Sequence, residues 1–300
     1  MAFTAADVKN LREMTGVGMM DCKKALVEAD GDIQKAVEWL REKGMAASAK
    51  KASRVAAEGM AYATVVDGVG VVVEVNAETD FVGKNEKFVE FVKNIAAMVA
   101  TTNPADLDAL MASKYMDTDL TVTQQQQEMV LVIGENIKIR RFARFADGVS
   151  VPYIHAGGKI GVLVNLAVTG EADAEAIGKD VAMQIAALNP RFWDKSEVTQ
   201  DILDEEKHIM LAQMENDPKM AAKPEKVKVG IVSGKLNKFF SENCLLQQDF
   251  VKDSSLTIEK YIAAAGKGAV TFTSAVRFEK GEGIEKVESN FAEEIASMVK

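Results

Sequence analysis

The sequence predicts an α+β fold, and three observations carry that prediction. Residues 1–45 show only helical apolar spacing. From Met60 the pattern changes to strands around a tight turn, followed by an amphipathic helix. That hairpin-then-helix plan returns from Val149. With 300 residues, 48% of them hydrophobic, the chain can bury its cores in roughly two domains or in several smaller modules.

The first 45 residues read as a three-helix unit. Thr4 and Asp7 resemble a capping box with the shorter acid, and Val8, Leu11 and Met14 form a helical stripe broken by Gly16-Val17-Gly18. Cys22, Ala25, Leu26 and Ala29 fall at i, i+3, i+4 and i+7, with Asp21 the expected N-cap. After the turn Asp30-Gly31-Asp32, the residues Ile33, Ala36, Val37 and Leu40 repeat the spacing, and Gly44 is expected to close the helix as its C′ residue. Cys22 is then a small core residue. Ala46 to Ala57 is alanine-rich and basic without a wide apolar face, which predicts a solvated helical linker.

Asp67-Gly68, between Tyr62–Val66 and Val71–Val75, predicts a hairpin, because both turn positions tolerate positive φ. The polar run Glu78-Thr79-Asp80-Phe81-Val82 leads into a helix beginning near Glu86, where Phe88, Phe91, Val92, Ile95, Met98 and Val99 share a face and Asn103-Pro104 is the stop. Val149–His155 and Lys159–Val168 make a second hairpin, followed by a helix through Ala174, Ile177, Val181, Ile185 and Leu188 that also stops at Asn-Pro, Asn189-Pro190. Gly70 to Pro104 spans 34 positions and Gly161 to Pro190 spans 29. The five extra residues are assigned to a loop around Thr79–Gly83.

Between the copies, Val122–Ile133 reads as a helix and Ile137–Phe145 as a strand. After Pro190, Val198, Ile202, Ile209 and Met214 give a narrow stripe up to Asn216-Asp217-Pro218, and Val227, Ile231, Leu236 and Phe239 a second one. Two thin-striped helices around a proline turn predict a projecting antiparallel hairpin. Val270, Phe272, Ser274, Val276 and Phe278 alternate as a strand, and Phe291, Ile295, Met298 and Val299 mark a C-terminal helix.

Composition narrows the function. A net charge of −9 argues against general nucleic-acid binding, which needs cationic surface to displace counterions. The local clusters Lys50, Lys51, Arg54 and Arg140, Arg141, Arg144 are by default solvated faces. No apolar run approaches the ~20 residues of a membrane span, and the N-terminus has no signal-peptide pattern. The cysteines Cys22 and Cys244 lie far apart without metal-ligand spacing, which fits a reduced, cytoplasmic protein.

Catalytic constellations are not legible. His208 lies on the charged arm beside Lys207, and His155 sits at a strand end before Ala156-Gly157-Gly158, by default a turn residue. Gly230-Ile231-Val232-Ser233-Gly234-Lys235 is one residue short of a phosphate loop, with Leu236 where a hydroxyl is required. Neither metal nor cofactor is expected. Asp80-Phe81 leaves two readings open. In one, Asp80 caps the next helix and Phe81 folds back as a hydrophobic staple. In the other, Phe81 is an exposed wedge with an adjacent carboxylate, inserted into a partner.

Leu11–Leu26, with Met14-Thr15-Gly16-Val17-Gly18-Met19-Met20-Asp21-Cys22 at its centre, resembles the N-terminal signature of the elongation factor Ts family. Glu78–Val82 resembles the second signature of that family, and Ile133–Ile137, His155-Ala156-Gly157 and Gly281–Glu288 match it as well, so the resemblance runs along the whole chain. The weakest matches are the arm and residues 102–126, a segment longer than usual for the family.

The resemblance implies a guanine-nucleotide exchange factor for the translational GTPase EF-Tu, without a catalytic site of its own. It implies a ubiquitin-associated-like helical module at 1–45, a linker at 46–58 and a core of two related α/β subdomains, at 59–147 and at 148–190 with 241–278. A coiled-coil hairpin arm at 191–240 and a C-terminal module at 279–300 complete it. Thr79, Asp80, Phe81 and Val82 would form the loop that disturbs the Mg2+ site of EF-Tu, with Ile133 and His155 as further contacts. Met19, Met20 and Phe291 would grip the nucleotide-binding domain, and the arm a more distant part. A homodimer or a 2:2 complex is compatible with the family. The rival readings are a ubiquitin-associated-type adaptor without exchange activity and an enzyme with a carboxylate site that the sequence does not single out.

Overall fold

A computed structural model describes residues 3–285. Three helices open the chain: α1 (Ala5–Thr15), α2 (Met19–Glu28) and α3 (Ile33–Lys51). Thr4 and Asp7 form the capping box of α1, and Gly16 ends it at φ +69°. Leu11, Cys22, Ala25, Leu26 and Ala36 are fully buried in the core of this unit, as their spacing predicts.

Two expected helix boundaries are corrected. Asp21 is not the N-cap of α2; the backbone of Gly18 occupies that position, and Asp21 lies in the first turn, paired with Lys43 of α3. An acid there still complements the helix dipole. Gly44 does not end α3 but lies inside it and buried, because a Cβ there would come within 3.3 Å of the Gln127 carbonyl oxygen in α6 (Val122–Ile133). The glycine lets two helix backbones approach, and α3 therefore continues through much of the expected linker, to Lys51.

The core contains two three-stranded antiparallel sheets of the same topology. In the first, β1 (Glu58–Val66) and β2 (Val69–Ala77) form the predicted hairpin, with Asp67 and Gly68 at φ +49° and +82°. The third strand, β3 (Lys138–Phe145), pairs with the far side of β2. Helix α4 (Glu86–Thr102) follows the hairpin, then the short α5 (Leu107–Ala112) and α6 lead to β3. In the second sheet β4 (Val149–His155) and β5 (Ile160–Val168) form the hairpin, and α7 (Ala174–Leu188) follows it. The chain then leaves through the arm, made of α8 (Gln200–Glu215), α9 (Pro218–Ala221) and α10 (Glu225–Asn243). It returns by β6 (Asp249–Phe250), β7 (Asp253–Thr257) and α11 (Ile258–Ala265) to β8 (Val270–Glu279), which pairs with β5. Asn103 and Asn189 close α4 and α7 in the left-handed conformation, where asparagine is tolerated, and each is followed by the proline that forbids continuation.

The internal repeat thus extends to the third strand. The extra length of the first copy is only partly in its loop. Residues 78–85 connect β2 to α4 where 169–173 connect β5 to α7, so three of the five added residues lie in the loop. The other two lengthen α4, which has 17 residues against 15 in α7.

Each sheet packs a helix on one face and the other sheet on its second. Val71, Val73 and Val75 face Phe88, Phe91, Val92 and Ile95 of α4, while Val162, Val164 and Leu166 face Ile177, Val181 and Ile185 of α7. Ala61, Ala63, Val72, Leu163 and Phe278 fill the space between the sheets. Burial on both faces explains why β2 reads as an unbroken apolar run rather than an alternating one.

The Arg140–Arg144 cluster is not a solvated face. Arg140 and Arg141 hold the fully buried Glu74 of β2 at 2.9 and 2.5 Å, and Arg144 donates to the Ala100 carbonyl. Asn76 and the backbone N–H of Gly281 also donate to Glu74. Burial would raise this carboxyl's pKa, but the hydrogen bonds from Gly281, Arg140, Asn76 and Arg141 outweigh it and hold it below the ordinary value.

Candidate functional site

The loop between β2 and α4 places an aromatic side chain in solvent on a tightly held backbone. Phe81 is 79% exposed. The helix that follows is capped by Asn85, whose Oδ1 accepts from the N–H groups of Lys87 and Phe88 at 3.0 and 3.4 Å. The staple reading is therefore overturned: Asp80 does not cap α4, and Phe81 does not fold back. A phenylalanine that could bury some 1.5–3 kcal/mol of apolar surface is held in water instead.

The flanks of the loop are fixed. Thr79 donates its backbone N–H to Glu135 Oε2 at 2.9 Å and its hydroxyl to Glu135 Oε1 at 2.7 Å. Glu78 in turn accepts the N–H of Asn136 at 2.6 Å. After the apex, Val82 is buried in the α4 core, and a Cβ on Gly83 would lie 2.8 Å from the Gly59 carbonyl oxygen, so only glycine fits there without displacement. The N–H groups of Lys84 and Asn85 bond back to the carbonyls of Phe81 and Val82 in a short 3-10 turn. Only Asp80 and Phe81, between these anchors, are free of the core.

The other expected site residues fall in three places. Ile133 is half-buried at the end of α6, against the same core as Val82 and one residue before the Gly134 cap that turns the chain into Glu135. His155 ends β4, exposed, with Nδ1 3.0 Å from the Tyr153 hydroxyl. Its turn touches β1: the N–H of Ala61 donates to the Gly158 carbonyl at 2.8 Å, two residues from the Gly59 carbonyl that borders Gly83. The β4–β5 turn and the Phe81 loop therefore share one end of the core. Met19 and Met20 begin α2, 46% and 76% exposed, beside Phe3 and Val8. Phe291 lies outside the described residues.

Sequence reasoning missed Glu135 and Asn136 as the partners of the loop. The signal was present, since Ile133–Ile137 stood out as a motif, but its spatial neighbour could not be read from spacing. Arg54 was also missed; it pairs with Glu78 at 3.4 Å and accepts from the Asn136 side chain through its carbonyl at 2.9 Å. Lys51 donates to the Gly134 carbonyl. Among the described residues, no group of three or more His, Cys, Asp or Glu is placed to hold a metal ion, and no helix is long and apolar enough to cross a membrane.

Comparison with known proteins points in one direction. Residues 78–282 match the family model described as elongation factor TS. Elongation factor Ts of Syntrophotalea carbinolica is 48% identical over 308 aligned positions that span all of both chains. That of Clostridium novyi is 48% identical over 97% of each chain. That of Trichlorobacter lovleyi is 47% identical over 99% of this chain and 98% of its own.

Proposed function

The chain belongs to the elongation factor Ts family of translation elongation factors, and on that premise we propose that it binds EF-Tu·GDP and promotes release of GDP so that GTP can enter. The observation that carries this reading is Phe81, an exposed aromatic on a turn hydrogen-bonded on both flanks, with a carboxylate beside it. Inserted beside a helix of the GTPase, the Thr79-Asp80-Phe81-Val82 loop would favour a conformation in which the Mg2+ and phosphate contacts of the nucleotide are strained. Fixing the loop beforehand avoids the ordering cost that a mobile one would incur on binding.

Coupling must be reciprocal: an exchanger that weakens GDP binding is itself bound less tightly when GDP is present. In this reading Ile133 and His155 lie near the wedge, and Met19, Met20 and the segment around Phe291 grip the nucleotide-binding domain. The arm reaches a more distant part of the partner. The protein would work in the cytoplasm without nucleic acid, cofactor or catalytic site of its own, as a homodimer or in a 2:2 complex.

The test is release of a fluorescent GDP analogue from the cognate EF-Tu against excess unlabelled GDP. Fast release with catalytic amounts of the folded protein supports exchange. Unchanged release overturns it and leaves a binding adaptor as the reading.

A further inference from the structure

We propose that Glu135 is a positioning residue for the Phe81 loop, and that Thr79 acts inward, as the tie to Glu135, rather than as a contact to the partner. This inference rests on the exchange reading above for its functional consequence, but not for its geometry. Both Glu135 carboxylate oxygens are used by one residue, since Oε2 takes the Thr79 N–H at 2.9 Å and Oε1 takes the Thr79 hydroxyl at 2.7 Å. The carboxylate therefore fixes the position and the rotamer of Thr79 together. With its hydroxyl committed, Thr79 has its one side-chain donor turned away from the apex.

The clasp is reciprocal. Glu78 accepts from the backbone of residue 136 while Glu135 accepts from residue 79, so two adjacent residues on each strand of chain exchange bonds crosswise. The third party is the stretch leaving the N-terminal unit. Lys51 donates to the Gly134 carbonyl, the Asn136 side chain donates to the Arg54 carbonyl, and Arg54 reaches Glu78. Residues 51–54, 78–79 and 134–136 thus meet at one joint. A shift of α3 relative to α6 would pass through this joint before it reached Phe81. Glu135 touches no reacting atom, and its effect runs wholly through the loop.

Where the remaining contacts carry association, every state of the loop binds alike, and a loop that occupies its productive position only part of the time lowers the maximal effect of the bound exchanger by that fraction rather than its affinity. The full-length variants Glu135→Ala and Thr79→Val are compared with wild type in GDP-analogue release over a range of exchanger concentrations, which separates the maximal rate from the half-saturating concentration. Amide hydrogen exchange of residues 80–85 is followed in the free proteins. The maximal rate is expected to fall about tenfold in Glu135→Ala and less in Thr79→Val, the order expected for hydrogen bonds to a charged acceptor. The half-saturating concentration should change little, and amides 80–85 should exchange faster. In the double variant with Phe81→Ala, removal of Glu135 should cost little more, since both act through one loop.

Additive losses, or a wild-type maximal rate in Glu135→Ala, would overturn the positioning role. If Phe81→Ala alone exchanges normally, the wedge reading fails instead. The clasp is then judged by hydrogen exchange, where unchanged protection of 80–85 in both variants would overturn it. Thr79→Val keeps the volume of the side chain and the backbone bond, so the test stands even if Glu135→Ala folds poorly.

Discussion

Gly70 and Gly161 are the same position in two copies of one motif, and each lies under the other copy's sheet. Gly70 is the second residue of β2 and pairs with Phe145 on the third strand of its sheet; Gly161 is the second residue of β5 and pairs with Phe278 on the third strand of its own. A Cβ on Gly70 would meet Ser150 at 2.4 Å and Leu163 at 3.0 Å, and one on Gly161 would meet the Ala61 carbonyl at 3.1 Å and Val72 at 3.3 Å. Leu163 stands two residues after Gly161 as Val72 stands two after Gly70. The contacts are therefore reciprocal, as across a two-fold axis within one chain. The two sheets meet as an isologous pair would.

Gly70→Ala should destabilise the protein by about 1–3 kcal/mol, the range for overpacking a filled interior. Ser150→Gly in the same chain should recover part of the loss, because it removes the atoms that the new methyl meets. Urea unfolding of the two single variants and the double one measures this as a coupling energy. Independent losses would show that the sheets separate rather than clash at this point.

Glu74→Gln should cost about 2–3 kcal/mol, since it leaves two arginines and the Gly281 N–H around a neutral amide. The pH dependence has a definite sign. The folded pKa of Glu74 is lowered from its ordinary 4.5, so its contribution is present in full above that value and is lost as pH falls through the lower folded one. Wild type and Glu74→Gln should therefore converge in stability below pH 4.5, as followed by thermal unfolding across an acid series. Parallel curves would remove Glu74 from the acid transition.

Phe81→Ala should slow nucleotide release more than it weakens association. One phenylalanine contributes about 1.5–3 kcal/mol when buried, and each decade of rate needs about 1.4 kcal/mol, so the loss is bounded near two decades. Thermal stability should not fall, because the side chain is in solvent. Equal losses in rate and affinity would argue that Phe81 is an ordinary contact.

Asn85→Ala should cost about 1 kcal/mol through loss of the α4 cap. Asp80→Ala should leave stability within about 0.5 kcal/mol of wild type, as for an exposed site away from structural features. Chemical denaturation of the pair distinguishes this loop from one in which Asp80 is the cap.

Much of the local architecture was legible in the sequence. Thr4 with Asp7, Asp67-Gly68, Asn103-Pro104 and Asn189-Pro190 each act within a few residues, so their spacing determined where helices and turns begin and stop. The doubled hairpin-and-helix plan followed from the same local patterns, and membership of the family from several motifs in order. Tertiary structure alone decided the rest. Glu135 is 56 residues from Thr79, and Gly281 is 207 from Glu74. No periodicity records such pairs. The inside of a sequence cluster such as Arg140-Arg141 is set by what packs against it, a buried carboxylate here, and not by its own charge. Gly44 reads as a helix stop until α6 is placed beside it, and Phe81 reads equally as staple or wedge until Asn85 takes the cap. Short-range sterics fix the elements, whereas exposure, close approach and ionic pairing are properties of what the chain brings together from far apart.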